Sequence, residues 1–269
     1  MIAMFLLLGS FTLPTQVITF KNRGAEVFNL SLENLPADLV KKVVTVRDPH
    51  DQTPRQFVVL DTVQLFSSVS IYGEKWRKAE EVLFTCVDGY QPSIPVSRFL
   101  QQTSYLAVAY ENGKPFEISN KLQNQENVPL GPLYLIWDNM AQETAGDASV
   151  WPYQIASVDL VRFKDKFPRI SPQEGASEQV VQGFVNYRRH CFNCHPVRGQ
   201  GGQKALDLTV VTQVHPHDWL IQYIADPRKL LPQSVMPALR ESRDDWKQVA
   251  DDILVYLHHM ADMESNSAK

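Results

Sequence analysis

The chain has 269 residues, 44% hydrophobic and 21% charged, which excludes disordered and collagen-like chains and, at roughly 150 residues per domain, suggests about two domains. Its 26 basic and 30 acidic residues are spread evenly, 16 against 18 up to residue 171 and 10 against 12 beyond, so neither half has the basic footprint of a nucleic-acid binder. Three cysteines, Cys86, Cys191 and Cys194, are an odd number and too few for a disulfide framework.

The chain opens with an apolar run from Ile2 to Leu8, followed by the small residues Gly9, Ser10 and Thr12. That run is too short for a membrane span, which needs about 20 apolar residues. It fits the apolar centre of a secretory signal without the usual basic start, so residues 1 to 16 are expected to be a signal peptide; a stray apolar N-terminus on a cytosolic protein is the alternative. No later stretch reaches spanning length, and no integral membrane segment is expected after the leader.

From Val17 to Phe163 the pattern is mainly that of strands: VVTV (43 to 46), FVVL (57 to 60), EVLFTCV (81 to 87), YLAVAY (105 to 110), LYLIW (133 to 137) and IASVDLVRF (155 to 163). Turn signals separate them at Asp48-Pro49, Asp88-Gly89, Asn112-Gly113 and Gly131-Pro132. Thr62 to Ser68 and Pro95 to Gln102 read as short helices, giving a β-rich α+β domain over 17 to 165. Segment 166 to 176, with two prolines and mixed charge, reads as a linker.

Beyond it, the apolar period becomes helical over Ser177 to His190, around Asp218 to Ala225, and over Arg243 to His259, where Trp246, Val249, Ala250, Ile253, Tyr256, Leu257 and Met260 share a face. Ser242 with Asp245 is a capping signature for the last helix. The expectation for 177 to 263 is an all-α domain. Adjacent acidic pairs, Glu80-Glu81, Asp244-Asp245 and Asp251-Asp252, are expected on surfaces. Neighbouring residues on a helix do not face each other, which argues against joint acid and base work.

The strongest motif is Cys191-Phe-Asn-Cys194-His195. Two thiols at this spacing can form thioethers with the two vinyl groups of a haem, with the next histidine beneath the ring to ligate iron. Gly183, Tyr187 and Cys191 fall at four-residue steps, a small and aromatic face over which another helix can cross closely. Ile253, Tyr256 and Leu257 offer the matching face. Pro232-Gln-Ser-Val-Met236-Pro237 presents a soft sulfur, of the kind that stabilises reduced iron. Alternatives are a redox disulfide between Cys191 and Cys194, a zinc site from these two with His215 and His217, and rival ligands among His258, His259, Met260 and Met263.

Over roughly 172 to 263 the chain resembles class I cytochromes c, in G-x-x-x-Y-x-x-x-C-x-x-C-H from Gly183 to His195, in Asp226-Pro227 leading to S-V-M-P at Ser234 to Pro237, and in the Tyr256-Leu257 helix. The resemblance implies one covalent haem c on Cys191 and Cys194, with His195 and Met236 as axial ligands. It also implies one-electron exchange with redox partner proteins, donor and acceptor unspecified, after export to a periplasm or an equivalent space. Both axial positions are then filled, which argues against an enzyme acting on its own substrate.

Val82 to Trp137, with Asp88-Gly89-Tyr90, Leu106-Ala107 leading to Asn112-Gly113, and Gly131-Pro132-Leu133, resembles the molybdopterin domain of sulfite-oxidase-type oxidoreductases. That family's molybdenum-ligating cysteine lies upstream of the D-G-Y strand, and no cysteine precedes Cys86 here. The expectation is a retained scaffold without molybdopterin, serving binding or docking, with Asp88, Tyr90, Asn112 and Trp151 as groove candidates. The alternatives are Cys86 as a molybdenum ligand passing electrons to the haem within the chain, and a module that docks the protein on a respiratory complex. Cys86 otherwise reads as a buried inert thiol.

Overall fold

A computed structural model describes residues 17–142, 147–240 and 244–267. The expected leader, 1 to 16, and the Ser242 cap lie outside the described residues. In chain order come β1 (Val17–Asn22), β2 (Ala25–Ser31), β3 (Lys42–Arg47), β4 (Pro54–Asp61) and α1 (Thr62–Ser67), then β5 (Glu81–Cys86), β6 (Ser93–Pro95), α2 (Val96–Gln101) and β7 (Ser104–Tyr110). There follow β8 (Glu117–Asn120), β9 (Gln125–Pro129), β10 (Tyr134–Trp137) and β11 (Ile155–Val161). The helices α3 (Phe163–Lys166), α4 (Glu178–His190), α5 (Leu208–Val214), α6 (His217–Ala225), α7 (Pro227–Leu230) and α8 (Trp246–Ser267) complete the order.

The strands form a five-stranded sheet in the order β2-β1-β11-β5-β6, a four-stranded sheet β10-β7-β4-β3, and the hairpin β8-β9. Among the described residues only the β1 and β11 pair is parallel, as expected when distant segments are brought side by side rather than joined by a tight turn. Alternation places Ile18, Phe20, Val82, Phe84 and Val158 on one face of the larger sheet, where they join Phe57, Leu106, Tyr134 and Trp137 of the second sheet in one core. Two helices begin where a side chain relieves unpaired N–H groups: Asp61 accepts from Gln64 at the start of α1, and Ser177 from Val180 at the start of α4.

The expected division into a β-rich domain and a clear all-α domain is corrected by the packing. The molecule is mixed, about 33% helix and 27% strand. The other face of β5 and β11 supplies Leu83 and Val161 to a second core, together with Tyr187, Phe192, Ile253, Tyr256 and Leu257 of the C-terminal segment. The helices therefore pack their core directly against the sheet rather than closing it among themselves. The same segment also holds an antiparallel bridge between Val197 and Gln200. The expected linker is ordered by the same core: Phe167 and Ile170 are buried, and Tyr256 donates its hydroxyl to the Ile170 carbonyl at 2.7 Å.

Candidate functional site

Helix α4 carries the cysteine motif at its C-terminal end and is set by its crossing with α8. Gly183 is the point of contact: a Cβ there would overlap the Asp252 carbonyl oxygen and lie 2.7 Å from Tyr256 Cβ. One turn later the rings of Tyr187 and Tyr256 lie 5.3 Å apart. The helix ends as Cys191 donates its N–H to the Tyr187 carbonyl at 2.9 Å. The next turn closes on itself, since Cys194 and His195 both donate to the Cys191 carbonyl, at 3.1 and 2.9 Å. Tyr187 also donates its hydroxyl to the His195 carbonyl at 2.8 Å, so the helix interior holds the end of the motif.

Cys191 and Cys194 are free thiols. Burial, then the neighbouring Cys194, pushes Cys191 up to about 12; burial also pushes Cys194 up to about 11, against the pull of Lys204. Both are protonated at neutral pH. His195 has its Nδ1 2.9 Å from the Leu206 carbonyl. Burial lowers its pKa against the opposing pull of that hydrogen bond and of Asp207, which favours neutral imidazole. With Nδ1 donating its proton to the carbonyl, Nε2 keeps the lone pair a metal ligand needs.

The motif is also bound to the first half of the chain. Asn193 accepts from Gln91 N–H at 2.8 Å through its carbonyl, and its side-chain amide donates to the Tyr90 hydroxyl at 3.0 Å and to the Ser149 carbonyl at 3.3 Å. Segment 202–206 threads between the two. Gly202 N–H donates to the Phe192 carbonyl at 2.9 Å, Gln203 N–H to Gly89 at 2.8 Å, and Ala205 N–H to Cys194 at 2.9 Å. Lys204 pairs with Asp88 at 2.7 Å and donates to Gln123 at 3.2 Å. Burial alone would lower the Lys204 pKa, but Tyr153 and Asp88 outweigh it and the net shift is upward.

Met236 lies on a different element. Its loop is fastened to α6, where Tyr223 and Ser234 share a hydroxyl hydrogen bond of 3.0 Å and Leu239 N–H donates to Ile224 at 3.1 Å; Met236 N–H donates to Ser234 Oγ at 3.3 Å. The turn therefore brings Cys191, Cys194 and His195 together, while Met236 belongs to a separate loop, where it is half-buried among mostly exposed neighbours. The rival side chains are otherwise engaged: Met260 is fully buried in the second core, Met263 packs against it, and the His258 ring stacks 6.3 Å from that of His217. Buried His259 Nε2 has no hydrogen-bond partner. The four-ligand zinc set is not assembled, because His215 stacks on Trp219 at 4.3 Å and His217 pairs with Asp251 at 3.1 Å. Among the described residues no group of three or more His, Cys, Asp or Glu side chains is placed to hold a metal ion.

Of the groove candidates, Tyr90 meets the motif directly through Asn193, Asp88 meets Lys204 in the neighbouring segment 202–206, Trp151 is a core residue, and Asn112 sits at an exposed turn. A cavity of about 570 Å³ is lined by Asp88, Tyr153, Gln154, Lys204 and residues 125–129. Cys86 does not line it: its thiol is 4% exposed, and burial pushes its pKa well up, with Asp88 adding to the effect. Two carboxylates expected on surfaces are buried and paired instead, Glu81 with Arg188 at 2.8 Å and Asp252 with Gln248 at 2.8 Å. Lys204 and Leu206 belong to no motif, and Asn193 is one of the two variable positions inside the cysteine motif; the glycines at 89, 201 and 202 are the sequence signal of backbone pressed against its neighbour. Among the described residues no helix is long and apolar enough to cross a membrane. Comparison with protein-family models and with curated proteins finds no match.

Proposed function

We propose that the chain is a monohaem c-type electron carrier, in which Cys191 and Cys194 would hold the haem through thioether bonds and His195 and Met236 would ligate its iron. The observation that carries the reading is the turn itself: two free thiols and a neutral imidazole are held within five residues, and the imidazole is oriented by the Leu206 carbonyl. The remaining donor chemistry fits as well. Apolar side chains at Leu206, Val210, Val214, Leu231 and Val235 stand exposed along the segments between His195 and Met236, where a porphyrin's faces and edges require apolar contact.

Bound there, haem would supply a one-electron iron couple. The chain's own part is to hold and tune. The Leu206 carbonyl fixes the histidine tautomer, and the hydrogen bonds of Tyr187 and Asn193 hold the turn at both flanks. The Met236 thioether, a soft neutral donor, favours the reduced state. Thioether formation takes place outside the cytoplasmic membrane in proteins of this type, so the reading carries export to the periplasm with it. In this reading the first half supports the haem turn and takes part in binding or docking. Molybdenum ligation by Cys86 is disfavoured because its thiol is buried and protonated away from the cavity.

The test is expression of the full chain with a haem-attachment system and a pyridine haemochrome assay, with elemental analysis alongside. One haem per chain is the expected result, and purified chain without covalent haem would refute the reading. Met236→Ala should abolish the weak sulfur-to-iron band in the far red; an unchanged band would exclude Met236 as the ligand.

A further inference from the structure

Segment 202–206 touches the two halves of the molecule in alternation: Gly202 bonds to the cysteine motif, Gln203 and Lys204 to the Asp88-Gly89-Tyr90 turn, and Ala205 and Leu206 to the motif again. There is no slack at either contact. A Cβ on Gly89 would lie 2.7 Å from the Gln203 carbonyl carbon, and one on Gly202 would overlap the Asn193 carbonyl, so backbone rests on backbone. Lys204, two residues before Leu206, is mostly buried and held by Asp88 and Gln123, both from the first half. A shift of that ammonium moves the chain that carries the Leu206 carbonyl. That carbonyl is the acceptor for His195 Nδ1, and the strength of such a hydrogen bond sets how strongly an imidazole donates to a metal.

We infer that segment 202–206 couples the Asp88-Gly89-Tyr90 turn to the imidazole of His195, with Lys204 and Asp88 as its positioning pair, so that the first half of the chain tunes the redox site. The inference rests on the proposed haem function. Lys204 and Asp88 also line the cavity of about 570 Å³, with Tyr153 and Gln154, so the coupling reaches a solvent-accessible part of the first half. Neither residue is a ligand or an attachment point; each acts through the backbone between Lys204 and Leu206.

The experiment uses the full haem-loaded chain and follows the exchange of the His195 Nδ1 proton by NMR, with the midpoint potential measured on the same samples. Lys204→Gln removes the charge. Asp88→Asn removes its counter-charge while keeping the oxygen that accepts from Tyr90 N–H at 3.0 Å. Lys204→Arg preserves the pair. Lys204→Gln and Asp88→Asn should each speed exchange by about fivefold to tenfold, as expected for the weakening of one hydrogen bond, and should move the potential, while Lys204→Arg stays near wild type. Unchanged exchange in both charge-removing variants at full haem content, or an equal change in Lys204→Arg, would overturn the coupling. Failure of the haem reading itself would show separately, as wild-type chain without haem.

Discussion

Replacing Gly183 by alanine tests whether the α4 and α8 crossing holds the cysteine turn in place. In an isolated helix the change is favourable by about 1 kcal/mol, because glycine pays more backbone entropy than alanine. Here the added methyl would meet the Asp252 carbonyl oxygen and sit 2.7 Å from Tyr256 Cβ, whereas ordinary contact begins at 3.4 Å. The helices would have to part by at least about 0.7 Å, and neither obstacle is the free end of a flexible side chain. That separation loosens the Tyr187 and Tyr256 ring contact and the core beneath it, where Ile253, Tyr256 and Leu257 are almost fully buried. Overpacking of this kind costs roughly 1 to 3 kcal/mol and sometimes more, so after the gain of about 1 kcal/mol from the better helix former the net expectation is a loss of about 1 to 2 kcal/mol. Urea unfolding of the full chain reads it, with Val181→Ala and Val185→Ala as controls: both valines are about half exposed on the same helix, and their replacement should be neutral or slightly stabilising. Gly183→Ala as stable as the wild type would refute the close crossing.

Arg188→Ala should cost about 2 to 3 kcal/mol, toward the lower side of what a stranded buried charge costs because Arg188 is itself about one-third exposed, leaving Glu81 with only Ser93 as a partner. Adding Glu81→Gln should recover part of that loss; equal stability of wild type and Arg188→Ala by urea unfolding would show the pair to be dispensable. Burial holds the Cys86 thiol well above its ordinary 9.0, and the Tyr90, Tyr134 and Tyr187 hydroxyls well above 10.0. The unfolded chain therefore releases these protons first as pH rises. The stability they contribute is complete below about pH 9 and declines above it, and a urea midpoint constant from pH 8 to pH 11 would contradict this. In the haem-loaded chain Cys86 is the one remaining thiol, and iodoacetamide at pH 8 should label it only after unfolding.

The strands named from alternation, 43 to 46, 57 to 60, 81 to 87, 105 to 110, 133 to 137 and 155 to 163, each fall on a β-strand to within two residues, the last overrunning into the helix that opens at Phe163, and the helix readings at 62 to 68, 95 to 102, 177 to 190 and 218 to 225 fall on helices. Long apolar periods bounded by Asp-Gly, Asn-Gly or a capping serine leave little choice of local structure. Other elements escape such reading, among them the Val17–Asn22 and Ala25–Ser31 strands, and two further ones show why. The Leu208–Val214 helix, LTVVTQV, is mostly β-branched and favours a strand by propensity; it is helical because Asp207 accepts from Thr209 N–H and starts the turn. The Gln125–Pro129 strand, QENVP, has almost no apolar signal, since it lies in a two-stranded hairpin and is mostly exposed. The site divides in the same way. Cys191, Cys194 and His195 are legible because they fall within five consecutive residues at a recognisable spacing. Leu206 and Lys204 act through a backbone carbonyl and an ion pair across about a hundred residues, and no local pattern announces either.

The error over domain class has one physical origin, the reading of the EVLFTC strand. A continuous apolar run marks a strand buried on both faces, but it does not say what covers the second face. Val82 and Phe84 look into the sheet core, whereas Leu83 looks toward Phe163, Phe192 and the C-terminal helices. Glu81 at the start of the same strand holds Arg188 of α4, and Arg188 lies over the Phe163 ring at 3.4 Å. At the other end of that strand the Asp88-Gly89-Tyr90 turn grips Asn193 and Lys204. A single strand thus carries the helix bearing the cysteines at one end and the turn holding the motif at the other. The motif is consequently positioned by contacts from the β-rich half as well as by its own helices.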